Sequence, residues 1–129
     1  MAKIERFEDL EIWQLARKIC VEVYRIIEMT DLKDNYALRN QMDRCSGSIM
    51  DNIAEGFERN GNKEFRQFLS IAKASCGELR SQLYRCLDRK YIDETTFDIQ
   101  MEMLLLESKK ISSFINYLKK SEYKGSKFD

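Results

Sequence analysis

The sequence predicts an all-α protein, an antiparallel up-down-up-down four-helix bundle. Apolar residues recur three and four apart through four long segments, the signature of one helix face turned to a core. The 129 residues include no proline and only five glycines, so little interrupts those segments. The connectors are short, which forces successive helices to run antiparallel. No stretch alternates with a period of two, and no repeat of about 20 to 50 residues is visible.

The first segment spans residues 8–29. Leu10, Trp13, Ala16, Cys20, Val23 and Ile27 form its stripe, and Ile12, Leu15, Ile19 and Ile26 widen it. Glu8, Asp9 and Glu11 stand where negative charge complements the helix dipole. Residues 30–35 break the pattern and offer N-caps for the next helix. The second segment spans 36–60, with Leu38, Met42, Cys45, Ile49, Ile53 and Phe57 on one face. Gly61 suits the residue after a helix end, and Asn62 suits the following N-cap.

The third segment spans 63–90. Phe65, Phe68, Ala72, Cys76, Leu79, Leu83 and Cys86 keep a period near 3.5, which matches helices crossing at a shallow angle. Tyr91 and Ile92 connect to Asp93, the next N-cap candidate. The fourth segment spans 94–120, with Phe97, Met101, Leu104, Ser108, Ile111, Ile115 and Leu118 on its seam. Its charges grade from acidic (Asp93, Glu94, Asp98, Glu102, Glu107) to basic (Lys109, Lys110, Lys119, Lys120), as the dipole favours. Residues 1–120 therefore read as one domain and 121–129 as a polar, frayed tail. Helices of about 22 to 28 residues are about 33 to 42 Å long.

Composition narrows the function. The 22 basic and 22 acidic residues cancel, which removes any global attraction to nucleic acid or an anionic membrane. Histidine is absent, and with it the usual general base and the commonest metal ligand. Cys20, Cys45, Cys76 and Cys86 form no CxxC pair and lie on or beside the apolar stripes. They read as small buried hydrophobes in a reducing cytoplasm. The N-terminus lacks the apolar core of a signal peptide, and no apolar run approaches the roughly 18 residues of a membrane span. The expectation is a cytoplasmic protein without membrane attachment.

Three constellations stand out. Ser48, Asn52 and Glu55 share one side of the second helix beside its seam, and Gly56 follows them. A glycine inside a helix costs about 1 kcal/mol relative to alanine, so a close contact would account for it. Glu78 and Gln82 offer polar partners on the third helix, and Gln41 and Arg44 are candidate donors. The set reads as a structural network that fixes helix register and assembly. The competing reading, Glu55 and Glu78 as a catalytic or metal-binding carboxylate pair, lacks the histidines of dimetal bundles. Ser70 and Lys73 match a Ser-x-x-Lys spacing, but the companion motifs of that enzyme class are missing. No phosphate loop or zinc-ligand spacing occurs, so neither cofactor nor metal is expected.

The second constellation is cationic. Arg66, Lys73 and Arg80 lie seven apart and form one ridge that could track a phosphate backbone; a solvated or paired row is the plainer reading. The third is apolar. The fourth helix carries Ile99, Met103, Leu105, Leu106 and Phe114 outside its seam, more than a lone subunit hides, which points to a subunit interface rather than a wide core face.

Several strings together resemble a known family. They are Phe7-Glu8-Asp9-Leu10, Trp13-Gln14, Gln41 to Arg44, Ser48-Ile49, Asn52-Ile53-Ala54-Glu55-Gly56-Phe57, Phe65, Phe68-Leu69, Glu78-Leu79 and Gln82-Leu83. They resemble the small bacterial four-helix-bundle family also called the 23S rRNA intervening-sequence, or S23, family, over nearly the whole chain. Two positions depart from its pattern: Met50, where proline is usual, and Ala74 to Gly77, where glycine-serine is usual. The resemblance implies an up-down bundle assembled as a homopentameric ring. It also implies a distant similarity to the accessory protein of diversity-generating retroelements, which acts with a reverse transcriptase and nucleic acid. The reading that results is a non-enzymatic, self-assembling bundle, a scaffold or adaptor. It would bind RNA or an RNA-handling partner through Arg66, Lys73 and Arg80. Ser48, Asn52, Glu55, Gly56, Glu78 and Gln82 would hold the structure. The alternative is a protein-protein module with no nucleic-acid role.

Overall fold

A computed structural model describes residues 4–123, with side chains through Ser121. Two single-turn 3-10 segments, Phe7–Asp9 and Asp31–Asp34, accompany four helices: α1 Glu11–Met29, α2 Tyr36–Glu58, α3 Asn62–Asp88 and α4 Glu94–Tyr123. No strand occurs among the described residues. The helices are successively antiparallel. Met42 meets Cys86 at one end of the α2–α3 pair, and Gly56 meets Phe65 at the other. Tyr84 packs edge-to-face against Phe97 across α3 and α4, while Asn62 reaches Leu118 at the opposite end. Lys110 of α4 reaches Glu11 of α1 and closes the circuit.

Each helix buries most of the row that its spacing predicts; Cys20, Phe68, Met101, Ser108 and Ile115 of those rows are only partly buried. Leu38, Met42, Cys45, Ile49 and Ile53 of α2 are buried, with Phe57 partly so. On α3 the buried row is Phe65, Ala72, Cys76, Leu79, Leu83 and Cys86, joined by Leu69. On α4 it is Phe97, Leu104, Ile111 and Leu118, one residue per seven. α1 contributes Ile12, Ala16, Ile19, Val23, Ile26 and Ile27, while Trp13 and Leu15 are only partly buried. An aromatic run from Phe57 through Phe65 and Phe114 to Tyr117 ties α2, α3 and α4 at one end, with centroids 5.9, 5.5 and 5.9 Å apart.

The helix ends depart from the sequence reading in four places, one of them the end of α3, which stops at Asp88 and not at residue 90, with Lys90 in the left-handed backbone (φ 62°). α1 starts at Glu11, not at residue 8, because Leu10 is extended (φ −77°, ψ 128°) and buried beneath the Phe7–Asp9 turn. α2 ends at Glu58, and Asn60, not Gly61, takes the left-handed backbone (φ 61°). Asparagine tolerates that conformation through local hydrogen bonding. Gly61 is then the extended N-cap of α3, and Asn62 is its first residue, not its cap. The Asn62 side chain instead donates to the Leu118 carbonyl at 2.9 Å, tying α3 to α4. α4 continues to Tyr123, beyond the residue 120 of the sequence reading; the rest of the expected tail, 124–129, lies outside the described residues. Two N-caps fall where predicted: Asn35 Oδ1 accepts from the Leu38 N–H at 3.2 Å, and Asp93 Oδ1 accepts from the Thr96 N–H at 2.8 Å.

Gly56 shows why α2 carries glycine in its last turns. A Cβ there would stand 2.7 Å from the Phe68 Cβ and 3.0 Å from the Phe65 ring. The missing side chain lets α3 approach α2 at that point. Gly77, by contrast, faces open space. Gly56→Ala is therefore expected to lower stability by about 1 to 3 kcal/mol through overpacking. Gly77→Ala should raise it by up to about 1 kcal/mol through helix propensity alone. Urea denaturation of both variants beside the parent protein measures the two effects.

Candidate functional site

The polar set of α2 and α3 separates into an inner and an outer part. Ser48 Oγ and Ser75 Oγ are 2.9 Å apart, which joins the two helices. Asn52 Nδ2 donates to the Ser48 carbonyl at 2.8 Å and to Ser48 Oγ at 2.9 Å. Cys45 Sγ lies 3.2 Å from the Ser75 carbonyl and adds a second link. This serine–asparagine network sits beside the seam of Ile49 and Ile53, where an unpaired hydroxyl would be costly. Glu55 points elsewhere, to Arg59 at 2.9 Å on the surface. Glu78 is exposed, and Gln82 Nε2 reaches it at 3.5 Å. Gln82 is itself buried, with Oε1 unpartnered. Gln41 accepts from Arg85 at 3.2 Å and so serves α3, not the cluster around Asn52. Ser75 is the partner that the sequence reading missed; its spacing of seven from Gln82 places both on the α2-facing flank.

The cationic row is less open than its spacing suggests. Asn62 and Tyr84, four residues before Arg66 and four after Arg80, both contact α4, so the row runs along the α4-facing flank of α3. Arg66 Nε donates to Asn62 Oδ1 at 2.8 Å. Arg80 is half-buried, and its Nε is shut off from solvent without a partner. Lys73 is the exposed member. Ser70 Oγ donates to the Arg66 carbonyl at 3.0 Å, which returns that hydroxyl to its own helix rather than to Lys73.

α4 breaks the usual polarity of a bundle helix at several positions on either side of its apolar seam. Outside, Ile99, Leu105 and Leu106 are 52%, 51% and 46% exposed, while Met103 and Phe114 are partly buried. Ile99, Met103, Leu106 and Lys110 are spaced four, three and four, and thus share the flank beside α1. Inside, Gln100 and Glu107 are buried. Glu107 has no exposed surface, and neither carboxylate oxygen has a hydrogen-bond partner. Burial pushes its carboxyl up to about 8, and the Lys110 ammonium opposes that only in part. The sequence reading placed Glu107 in a charge gradient. The signal that would have exposed its burial is the row three residues past the seam: Gln100, Glu107 and Phe114, again spaced by seven.

The thiols are held in their unreactive form. Burial pushes Cys45 and Cys76 up to about 12 and Cys86 to about 11, and raises Cys20 as well. All four are free, three buried and Cys20 partly so. No group of three or more metal-ligating side chains converges among the described residues, and no described helix is long and apolar enough to cross a membrane.

Four successively antiparallel helices around one apolar core, with a serine–asparagine link between α2 and α3, define a small antiparallel four-helix-bundle protein. No curated protein matches the chain. The chain belongs to the 23S rRNA-intervening sequence protein family, whose sequence model matches residues 8–117.

Glu107 sets a pH dependence whose sign follows from its environment. The folded protein holds the proton up to about pH 8, whereas the unfolded chain releases it near 4.5. Stability from this group is therefore full below the lower value, declines as pH rises between the two, and levels off above the higher. Glu107→Gln is expected to flatten that decline and to be the more stable protein at pH 9, by roughly a few kcal/mol. Denaturation of both proteins at pH 6 and pH 9 provides the comparison.

Proposed function

We propose that this protein is a non-enzymatic bundle that assembles with copies of itself, as a homopentamer, and serves as a scaffold or adaptor. The observation that carries the reading is the outer face of α4, where Ile99 and Leu106 stand about half exposed on one flank with Met103 between them. A row of that kind along a helix is the pattern of a buried interface core. The raised thiols and the surface pairing of Glu55 with Arg59 support a role without covalent or carboxylate chemistry. In this reading the particle engages RNA or an RNA-handling partner through the α3 flank, with Lys73 as the leading contact and Arg66 and Arg80 beside it. Repetition around a ring multiplies a single weak cation into a charged belt.

A specific observation also favours the alternative of a purely protein-binding module: Arg80 turns its Nε inward and Arg66 is engaged by Asn62, which leaves one open cation per subunit along the row. Two measurements decide. Sedimentation of the parent protein is expected to give about five times the chain mass. Ile99→Glu combined with Leu106→Glu is expected to give one chain mass with helix content retained, since both positions lie outside the core. A parent protein that sediments as a single folded chain at high concentration overturns the assembly. Retention of mixed RNA should fall steeply with salt, and Lys73→Glu should reduce that slope by about one per engaged subunit. No retention at low salt assigns the protein to the alternative.

A further inference from the structure

We propose that the α4 flank of one subunit seats on the α1–α2 face of the next copy, so that the assembly contact joins two different faces. This rests on the assembly reading above and supplies its missing half. A ring of more than two identical subunits cannot close by matching one face with itself; each subunit needs two separate contact faces. The α4 flank beside α1 is one, with Ile99, Met103 and Leu106 followed by Lys109 and Lys110. Geometry narrows the other. The helices pack in a circuit, so the bundle has four sides at about 90° to one another. In a ring of five the two contacts of a subunit lie about 108° apart, which suits faces that share a helix, whereas opposite faces build an open filament. The candidates are therefore the α1–α2 face and the α3–α4 face. Both carry exposed apolar side chains, Val21 and Tyr24 on the first and Tyr84 on the second. Charge separates them. The α3–α4 face presents Arg66, Lys73 and Arg80, the same sign as Lys109 and Lys110. The α1–α2 face presents Asp43 and Asp51, in a row of four-residue steps with Gly47 between them.

The two faces also match in height. Cys20 Sγ donates to the Ser46 carbonyl of α2 at 3.2 Å, and Lys110 lies 3.4 Å from Glu11, so Cys20 is level with Ser46 and Glu11 with Lys110. A ring whose axis runs along the bundle keeps every residue at its own height. Counting from those two contacts along the antiparallel helices, Ile99 comes beside Val21 and Tyr24 of the next copy, Met103 beside Gly47, and Leu106 beside Asp51. Apolar side chains thus meet at one end. In the middle a long side chain meets a glycine, where an added Cβ would find nothing nearer than Asp51 Oδ2 at 4.0 Å. At the other end Lys109 and Lys110 fall between Asp51 and Glu58. Glu102, the exposed acid on the outer row of α4, comes level with Arg17, an exposed cation of the α1–α2 face. Because the two contact faces share α1, that helix lines the ring axis. α3, diagonal to it, lies outermost and carries the Lys73 row on the outside of the particle.

Sedimentation of two variants, alone and mixed, tests the pairing. Ile99→Glu with Leu106→Glu spoils the α4 flank, and Val21→Arg with Tyr24→Arg spoils the α1–α2 face. All four positions are exposed, and circular dichroism checks that helix content is kept. Each variant alone is expected at one chain mass. An equimolar mixture at high concentration is expected at two chain masses, because one sound flank meets one sound face and neither partner can extend further. In a separate variant, Val21→Cys with Ile99→Cys is expected to give an air-oxidised ladder that passes the dimer, whereas Ile99→Cys alone gives no cross-link. The proposal is overturned if Val21→Arg with Tyr24→Arg assembles as the parent protein does, or if the mixture stays at one chain mass. It is equally overturned if Ile99→Cys alone cross-links as a dimer, the mark of α4 paired with α4. A parent protein that never assembles overturns the assembly reading too. A parent protein that assembles, with the Val21 and Tyr24 variant assembling beside it, removes this pairing and leaves that reading standing.

Discussion

Everything in this molecule depends on a seven-residue repeat brought to a common axis. An α-helix returns a side chain to nearly the same face every seven residues, and four antiparallel helices can pack at a shallow angle only when each honours that return. Phe97, Leu104, Ile111 and Leu118 do so on α4, and Phe65, Ala72, Cys76, Leu79, Leu83 and Cys86 do so on α3. The same constraint explains the glycine. Where the aromatic run of Phe57, Phe65 and Phe114 fills one end of the bundle, α2 can close on α3 only at a residue without a Cβ, and Gly56 occupies that place.

The repeat also determines how much could be read from the sequence. The seams of all four helices were legible, because periodicity integrates over many residues and tolerates local exceptions. The N-caps at Asn35 and Asp93 were legible as well, since an acceptor side chain just before an apolar run has few other uses. The turn between α2 and α3 was not. Gly61 and Asn62 each have the right chemistry for the roles expected of them, but Asn60 took the left-handed position and shifted the register by one. That outcome was set at long range. Asn62 is held by the Leu118 carbonyl of α4, a partner 56 residues away that no local pattern reports.

The candidate site divides along the same line. Ser48 and Asn52 could be placed beside the seam from spacing, and the structure joins them to Ser75. Glu55 and Glu78 could not be assigned to the inside or the outside, because both lie at the margin of the apolar face; the surface partner Arg59 captured the first. Arg66, Lys73 and Arg80 do form one row, as a spacing of seven requires. Their different degrees of exposure come from α4, which lies against that flank. Spacing on one helix fixes which residues are neighbours, but only the neighbouring helix fixes which of them meet water.

α4 is where these considerations converge. A helix of a self-sufficient bundle should place its carboxylates outside and its leucines inside. This one encloses Gln100 and Glu107 and leaves Ile99, Leu105 and Leu106 half exposed. The inner exchange weakens the core, because a buried carboxyl without a partner forfeits hydrogen bonding that water would supply. The outer exchange leaves apolar area unburied, at about 25 cal/mol per Å² not gained. Both make the isolated subunit less stable than its own sequence could have made it. In the proposed assembly a partner that covers the outer flank would offset both, since one that binds the folded form alone stabilises it by mass action. In the proposed assembly α4 would therefore gain more from contacts outside the chain than from its own core, and the flank that would receive them carries Ile99, Met103 and Leu106 beside Lys110.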